Sequence, residues 1–426
     1  MYLSRFNIIH KEKDKVYIYN TLNRAIIELD KKEYATILRD VKKGTDSELT
    51  NSLKAQDFII DKDDELEIME FNYKNMQFDT TSLSLTICPT MDCIFRCPYC
   101  FESRESGLMT PENQEKLIEY VKERIKTAKA MNVLWFGGEP LMGWDIVVKL
   151  SKEFIKLCKE YNIPYYAYMI TNGYLLDDKK AKMFEDLKIE GIQITIDGPK
   201  RTHDTRRVLE GNVGTYDVIT KNIENLKKYK INITIRVNID KTNENDIEEL
   251  FQDFHNRNFD HVSFSLGHVL SYTENCKGID CNCLTKPEYS AKINMYNEIL
   301  KKYNFPKNHK HEIPTPISIY CEAVAMHSCS IDHNLNMYKC WNDIGNKSKS
   351  IGKLGSTDRT EAQRAVERKY LLWNPFAQKE CKKCKYLPLC FGGCPFMGMK
   401  ISSHQCDHWK YRVKRIIKDY IENENK

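Results

Sequence analysis

The chain has 426 residues, 41% of them hydrophobic and 29% charged. That is ample for packed cores and excludes a disordered or fibrous chain, and the length suggests two to three domains. Lys+Arg 65 against Asp+Glu 60 leaves a formal charge of +5, too small to demand nucleic acid or an anionic membrane as a partner. The start MYLSRFNIIHKEKDK lacks the pattern of a signal peptide, and the longest uncharged stretch, Tyr161–Leu176, is too short to span a bilayer. A soluble, cytoplasmic protein is expected.

The first part runs over residues 1–78. Phe6–His10, Val16–Tyr19 and Ala25–Leu29 read as strands. Tyr34, Ile37, Leu38 and Val41 fall on one helical face, and Thr45–Glu48 fits a capping box for a second helix. Phe58–Ile60 and Glu67–Met69 could pair across the acidic turn Asp61–Glu65. This is a winged-helix outline, although the acidic Asp61–Glu70 argues against a DNA-binding wing.

The second part, residues 79–315, alternates strands with helices. The strands are Leu83–Cys88, Val133–Phe136, Tyr165–Thr171, Gly191–Ile196, Asn232–Asn238 and His261–Leu266. Helical patterns such as Pro111–Lys126, Trp144–Tyr161 and Thr215–Lys228 lie between them. That alternation implies a parallel sheet. Six units fall short of the eight that close a barrel, so an α/β fold with a partial (β/α)6 barrel is expected. The third part, residues 316–426, is poor in periodicity and cysteine-rich, so it is expected to fold around metal and to end in a helix over Trp409–Asn423.

Cysteine carries the chemistry. Sixteen thiols without a secretion signal point to metal or iron–sulfur ligation rather than disulfides. Cys93, Cys97 and Cys100 form a C-x3-C-x2-C run just after the first barrel strand. Three thiolates on one tight loop can hold three irons of a [4Fe–4S] cube and leave the fourth open. A zinc knuckle is the bland alternative.

With Tyr99 before the last cysteine and Phe101-Glu102 after it, this run resembles the radical S-adenosylmethionine (SAM) enzymes. The likeness extends to Gly137-Gly138-Glu139-Pro140 after the second strand. It includes Thr171-Asn172-Gly173 after the third, Asp197-Gly198-Pro199 after the fourth and Arg236 and Asn238 on the fifth. The resemblance implies that Tyr99, Gly137, Gly138, Glu139, Pro140, Thr171, Asn172, Asp197 and Arg236 contact SAM, with Gly137–Pro140 at the methionyl amino group. It implies a cluster whose open iron chelates SAM, and a 5′-deoxyadenosyl radical that takes a hydrogen atom from substrate. His203-Asp204 and Arg206-Arg207 could contact the SAM carboxylate or a peptide, or form a surface ion-pair network.

The third part resembles the SPASM extension of radical SAM peptide-modifying enzymes. By that resemblance Cys321, Cys329, Cys340 and Cys394 bind auxiliary cluster I, and Cys381, Cys384, Cys390 and Cys406 bind auxiliary cluster II. The total is three [4Fe–4S] clusters. The family's usual Gly five residues before the cysteine at 340 is Leu335 here. If only one of Cys321 and Cys329 ligates, cluster I keeps an iron for a substrate thiolate. A zinc ribbon is the alternative. Cys88 and Cys158 read as buried core thiols, and Cys276, Cys281 and Cys283 receive no assignment.

The first part resembles the leader-peptide recognition domain of maturases acting on ribosomally made peptides, which bind a leader along a sheet edge. The expected function is therefore a peptide maturase that installs a crosslink, foremost a Cys thioether. Its partners would be a precursor peptide with a leader and a reductant such as flavodoxin or ferredoxin, with no nucleic acid or membrane. Alternatives are epimerisation, carbon–carbon crosslinking and oxidation of the anaerobic sulfatase-maturase type. A different class is a zinc-ribbon binding protein on a degenerate barrel. No residue stands out as a catalytic base.

Overall fold

The computed structural model describes residues 1–305 and 313–424. Its contacts divide the chain into two compact units, Met1–Phe78 with His311–Cys321 and Trp373–Lys426, and Asp79–Lys310 with Glu322–Leu372. No helix among the described residues is long and apolar enough to cross a membrane.

In the first unit β1 (Tyr2–Leu3), β2 (Asn7–Lys11), β3 (Lys15–Asn20) and β4 (Ile26–Asp30) precede helix α1 (Lys31–Lys43). Asp30 caps α1 through a capping box with Glu33, and Gly44 closes it in the left-handed region at φ 67°. The second helix, α2 (Glu48–Lys54), starts two residues later than the sequence suggests. Ser47 rather than Thr45 is its cap, because the Ser47 hydroxyl accepts from the Thr50 amide.

The larger difference lies beyond α2. β5 (Ile59–Ile60) pairs with β1, not with Glu67–Met69, which belong to helix α3 (Glu65–Phe78). Met69, Tyr73 and Gln77 are buried at four-residue spacing, so the apolar period there is helical. Tyr73 packs on Phe376 and Phe391, with ring centroids 5.6 and 5.0 Å away. Those partners lie some 300 residues on, out of reach of any local pattern.

Strand β3 serves two cores because successive side chains alternate between faces. Val16 and Ile18 pack with Leu29, Ile37 and Leu53. Tyr17 and Tyr19 pack with Leu389, Val413 and Ile417 of the C-terminal segment. The N-terminal sheet and the C-terminal cysteine-rich segment thus share one unit. The helix expected to close the chain runs Trp409–Glu424.

The second unit holds the parallel strands β6 (Ser82–Ile87), β7 (Ala130–Trp135), β8 (Tyr165–Thr171), β9 (Ile189–Thr195), β10 (Asn232–Ile239) and β11 (Val262–His268). Each pairs in parallel with the next, and helices such as Pro111–Arg124, Trp144–Glu160 and Tyr216–Asn225 connect them. These are the six βα units read from the sequence. The sheet does not close. β12 (Ser328–Ile331) adds in parallel to β6, and β13 (Asn336–Tyr338) and β14 (Gly352–Lys353) follow in antiparallel. Among the described residues the order is β11-β10-β9-β8-β7-β6-β12-β13-β14. One apolar core lies between these strands and their helices, built on Leu83, Val133, Ala167, Ile192, Ile235 and Phe264 among others.

Candidate active site

The parallel strands place their C-terminal ends along one edge, where βα folds build sites. Cys93, Cys97 and Cys100 lie on the loop after β6, Gly137–Pro140 after β7, Thr171 and Asn172 at the end of β8, and Asp197 after β9. Arg236 lies within β10.

Close backbone contact ties the first two loops together. The Gly138 amide donates to the Thr90 carbonyl at 3.3 Å and the Glu139 amide to that of Asp92 at 2.9 Å. A Cβ on Gly138 would stand 2.2 Å from the Asp92 carbonyl oxygen, and one on Gly137 2.4 Å from that of Thr90. The paired glycines are therefore required by the approach of the cysteine loop itself.

The Glu139 carboxylate is fully buried. It accepts from the Leu141 amide at 2.9 Å, the Thr171 hydroxyl at 2.7 Å and the Asn172 amide at 2.7 Å. Burial raises its pKa, and these donors oppose the rise. It clamps β7 to β8, a role invisible in the sequence. Asn172 in turn points its side-chain amide at the Cys93 sulfur, 3.9 Å away.

The three thiols act electrostatically on one another. Burial pushes Cys93 and Cys100 up to about 12 and raises Cys97 as well, the last against the opposing charge of Arg207. Buried neighbouring thiolates need a concentrated positive charge to exist, which an iron–sulfur core supplies.

Two buried polar atoms beside them have no partner among the described residues, one carboxylate oxygen (Oε2) of Glu102 and Nε of Arg207. Burial, and then the nearby Glu139, raise the Glu102 carboxyl well above its usual range. An amino-acid ligand carries both the ammonium and the carboxylate that would satisfy this pair. The residues present thus fit the expected cluster and SAM. The sequence leaves Arg207 between two roles, a contact to SAM or peptide and a surface ion-pair network, and makes Glu102 only a flanking residue; their buried atoms without a partner are the signal that singles them out.

The Tyr99 hydroxyl donates to the Asp197 carboxylate and accepts from Nη1 of Arg207, the latter at 2.7 Å. Asp197 also accepts from the Asn238 amide at 3.0 Å. Arg206 is committed elsewhere, with Nη1 2.9 Å from both Asp240 oxygens and Nε 3.5 Å from Asp197. It sits in an ion-pair network, but a buried one. Nε of Arg236 donates to Asn238 at 3.0 Å, and its guanidinium lies across Gly267, where a Cβ would come within 2.1 Å.

In the other unit Cys381, Cys384, Cys390 and Cys406 act on one another. Burial pushes Cys381 and Cys390 up to about 12. The Gln405 amide donates to the Gly392 carbonyl at 2.7 Å, which brings Cys406 against the Cys390–Gly393 turn. Such a four-thiol set suits a cluster. Among the described residues no three His, Cys, Asp or Glu side chains converge as a single ion would require.

The set expected for auxiliary cluster I is divided. Cys321 and Cys394 belong to the first unit, Cys329 and Cys340 to the second. On β12 the Cys329 thiol shares the core face of Ile331. It bonds to Tyr120, and burial pushes it up to about 11. Cys340 meets the buried Tyr370 hydroxyl. Cys88 is buried beside Gly137, and Cys276 and Cys283 pack with Tyr99 and Phe101.

Comparison with known proteins matches the Radical SAM superfamily over residues 87–254. The chain is 28% identical over 197 residues to the cysteine-type anaerobic sulfatase-maturating enzyme of Clostridium novyi, covering 43% of this chain and half of that relative. It is 23% identical over 340 residues to its namesake from Clostridium perfringens, covering 73% of this chain and 88% of the relative.

The fold resembles anSMEcpe with bound AdoMet at TM-score 0.62 and 20% identity, over 81% of this chain and 100% of that one. It also resembles Streptococcus suis SuiB bound to precursor peptide SuiA at TM-score 0.52 and 16% identity, over 94% of this chain and 97% of that one. With the glycine-clamped cysteine loop at the mouth of six βα units, residues 87–254 belong to the Radical SAM superfamily.

Proposed function

We propose that this chain is a radical SAM peptide maturase that joins a cysteine sulfur to an acceptor carbon of a ribosomally made precursor peptide. The observation that carries this reading is the N-terminal sheet. Among the described residues its order is β2-β3-β4, so β4 pairs with β3 alone. An open strand edge is what a leader needs to add a strand, and its backbone bonds tolerate varied leader sequences. The likeness to peptide-bound SuiB over 94% of the chain supports it.

Cys93, Cys97 and Cys100 would hold the SAM cluster, and bound SAM supplies the one-electron chemistry that abstracts a hydrogen atom. Glu102 and Arg207 would anchor the amino-acid end of SAM. Glu139 and the glycine pair hold the loops in register. Cys381, Cys384, Cys390 and Cys406 would hold auxiliary cluster II. Cys340, with Cys321, Cys329 and Cys394 as the further ligands implied by resemblance, would hold auxiliary cluster I. A flavodoxin or ferredoxin would supply electrons.

Anaerobic reaction with a short cysteine-containing peptide encoded beside this gene tests the proposal. The expected product has lost two hydrogens per bond, and its thiol resists alkylation. A second reading, oxidation of the sulfatase-maturase kind, is favoured by the 23% identity over 340 residues to the Clostridium perfringens relative. It predicts an aldehyde that traps a hydrazide probe, with sulfur lost from the peptide.

A further inference from the structure

We infer that the surface around the Cys381–Cys406 thiols is the docking face of an acidic one-electron carrier protein. The inference rests on the reading that those thiols hold a cluster. Ten Lys and Arg and two Asp and Glu fall between Lys379 and Lys418, a net of +8 where the whole chain carries +5. All remaining residues together are thus net acidic by three.

Apart from the buried Arg412, the positive charge is displayed. Lys379, Lys382, Lys383, Lys385, Lys410 and Lys414 are exposed. The ammonium of Lys410 lies 3.9 Å from the Cys406 sulfur, and its charge also acts on Cys384 and Tyr386. Lys414 follows one helical turn on, and Lys383 directly precedes Cys384. Among the described residues no ion pair engages Lys379, Lys383, Lys410 or Lys414. The two acids do little to offset them. Glu380 faces His404 at 3.9 Å, and Asp407 is turned to His408 and Tyr320.

A four-thiolate [4Fe–4S] group carries only about two negative charges, and of the counted cations Lys418 already faces Glu12 at 3.6 Å, so it is the unpaired Lys379, Lys383, Lys410 and Lys414 that remain for a partner. A single-sign surface repels itself and is retained where it steers an oppositely charged ligand. Cys384 and Cys406 are only half-buried, so a partner held by these lysines lies directly over the redox group. A nucleic acid or a membrane would draw on the charge but make no use of the thiols beneath it.

The test uses the cluster-loaded enzyme and purified flavodoxin as probe, with affinity measured by calorimetry at low and at physiological salt. Wild type should bind, and bind more weakly as salt rises. Lys379→Glu/Lys383→Glu/Lys414→Glu should weaken binding by roughly tenfold or more at low salt, and Lys414→Glu alone should weaken it by less. Lys152→Glu/Lys156→Glu/Lys159→Glu makes the same charge change on the exposed side of the Trp144–Glu160 helix and should change affinity by less than about threefold. SAM cleavage driven by dithionite, which needs no docking, should be unchanged in all three.

Equal loss in both triple variants, no loss in the first, or no salt-sensitive binding by wild type would overturn the inference. So would displacement of flavodoxin by the precursor peptide, which would assign this face to substrate. If the Cys384→Ala enzyme keeps its full iron, the cluster reading itself fails, and that outcome is separate from the binding result.

Discussion

Replacing Gly138 by alanine adds one methyl group where the structure has no room for it. The new Cβ would stand 2.2 Å from the Asp92 carbonyl oxygen, 2.5 Å from its carbon and 2.7 Å from the Met91 carbonyl oxygen. All three are backbone atoms, so no rotamer change relieves them. Ordinary contact needs about 3.2 Å or more, so the loop must retreat by roughly 1 Å. Asp92 immediately precedes Cys93, and the Glu139–Asp92 backbone bond of 2.9 Å lies at the same place. Overpacking of this kind costs about 1–3 kcal/mol. If the loop moves instead, a misplacement near 1 Å at a reacting centre costs about 10²-fold in rate. Gly138→Ala should therefore lower the urea midpoint, or retain it and lose roughly 10²-fold in dithionite-driven SAM cleavage. Gly278→Ala, where an added Cβ meets nothing within 4 Å, is the control and should change neither. Wild-type stability together with wild-type cleavage in Gly138→Ala would refute the steric argument.

Cys97→Ala should lose about four of about twelve irons and all SAM cleavage, with the auxiliary iron retained; retained cleavage would sink the site assignment. Glu102→Gln and Arg207→Leu should each weaken SAM binding about tenfold or more, as loss of a charge-assisted hydrogen bond would, and equilibrium dialysis of labelled SAM measures it. A proline replacing Glu28 on β4, whose N–H faces the open edge because Ile27 is the residue bonded across to Ile18, should abolish leader-peptide binding while sparing peptide-independent SAM cleavage; unchanged peptide affinity would remove the sheet-edge argument.

His203 gives a pH signature. Burial, with Arg207 and Arg206 nearby, holds its imidazole well below the ordinary 6.5. The unfolded chain then binds the proton more readily, so this contribution to stability is full above about pH 6.5 and is lost as pH falls below it. His203→Gln should flatten the difference between urea midpoints at about pH 7.5 and about pH 5.5; an unaltered difference would assign the acid limb elsewhere.

The six βα units were legible because each strand and helix carries its own period, and the structure reproduces them within a few residues. The thiol spacing and the glycine pair were legible for a similar reason: a tight loop around metal is a local arrangement. The expected wing at Glu67–Met69 failed because its apolar residues suit a helix once Tyr73 has Phe376 and Phe391 to pack on. Position alone makes Glu139 a SAM contact, and nothing local shows that Thr171 and Asn172 are its partners.

The sequence by itself thus determined a parallel βα sheet with a cysteine loop at its mouth and a second thiol-rich segment, because those features depend on neighbours along the chain. Only the tertiary structure decided that the two ends of the chain share one core. Only it left Oε2 of Glu102 and Nε of Arg207 without a partner among the described residues beside the thiols, and only it brought the Lys410 ammonium to the Cys406 sulfur. Each of these depends on which distant surfaces meet. That choice is made by burial of apolar faces such as the two sides of β3, and residue spacing along the chain does not encode it.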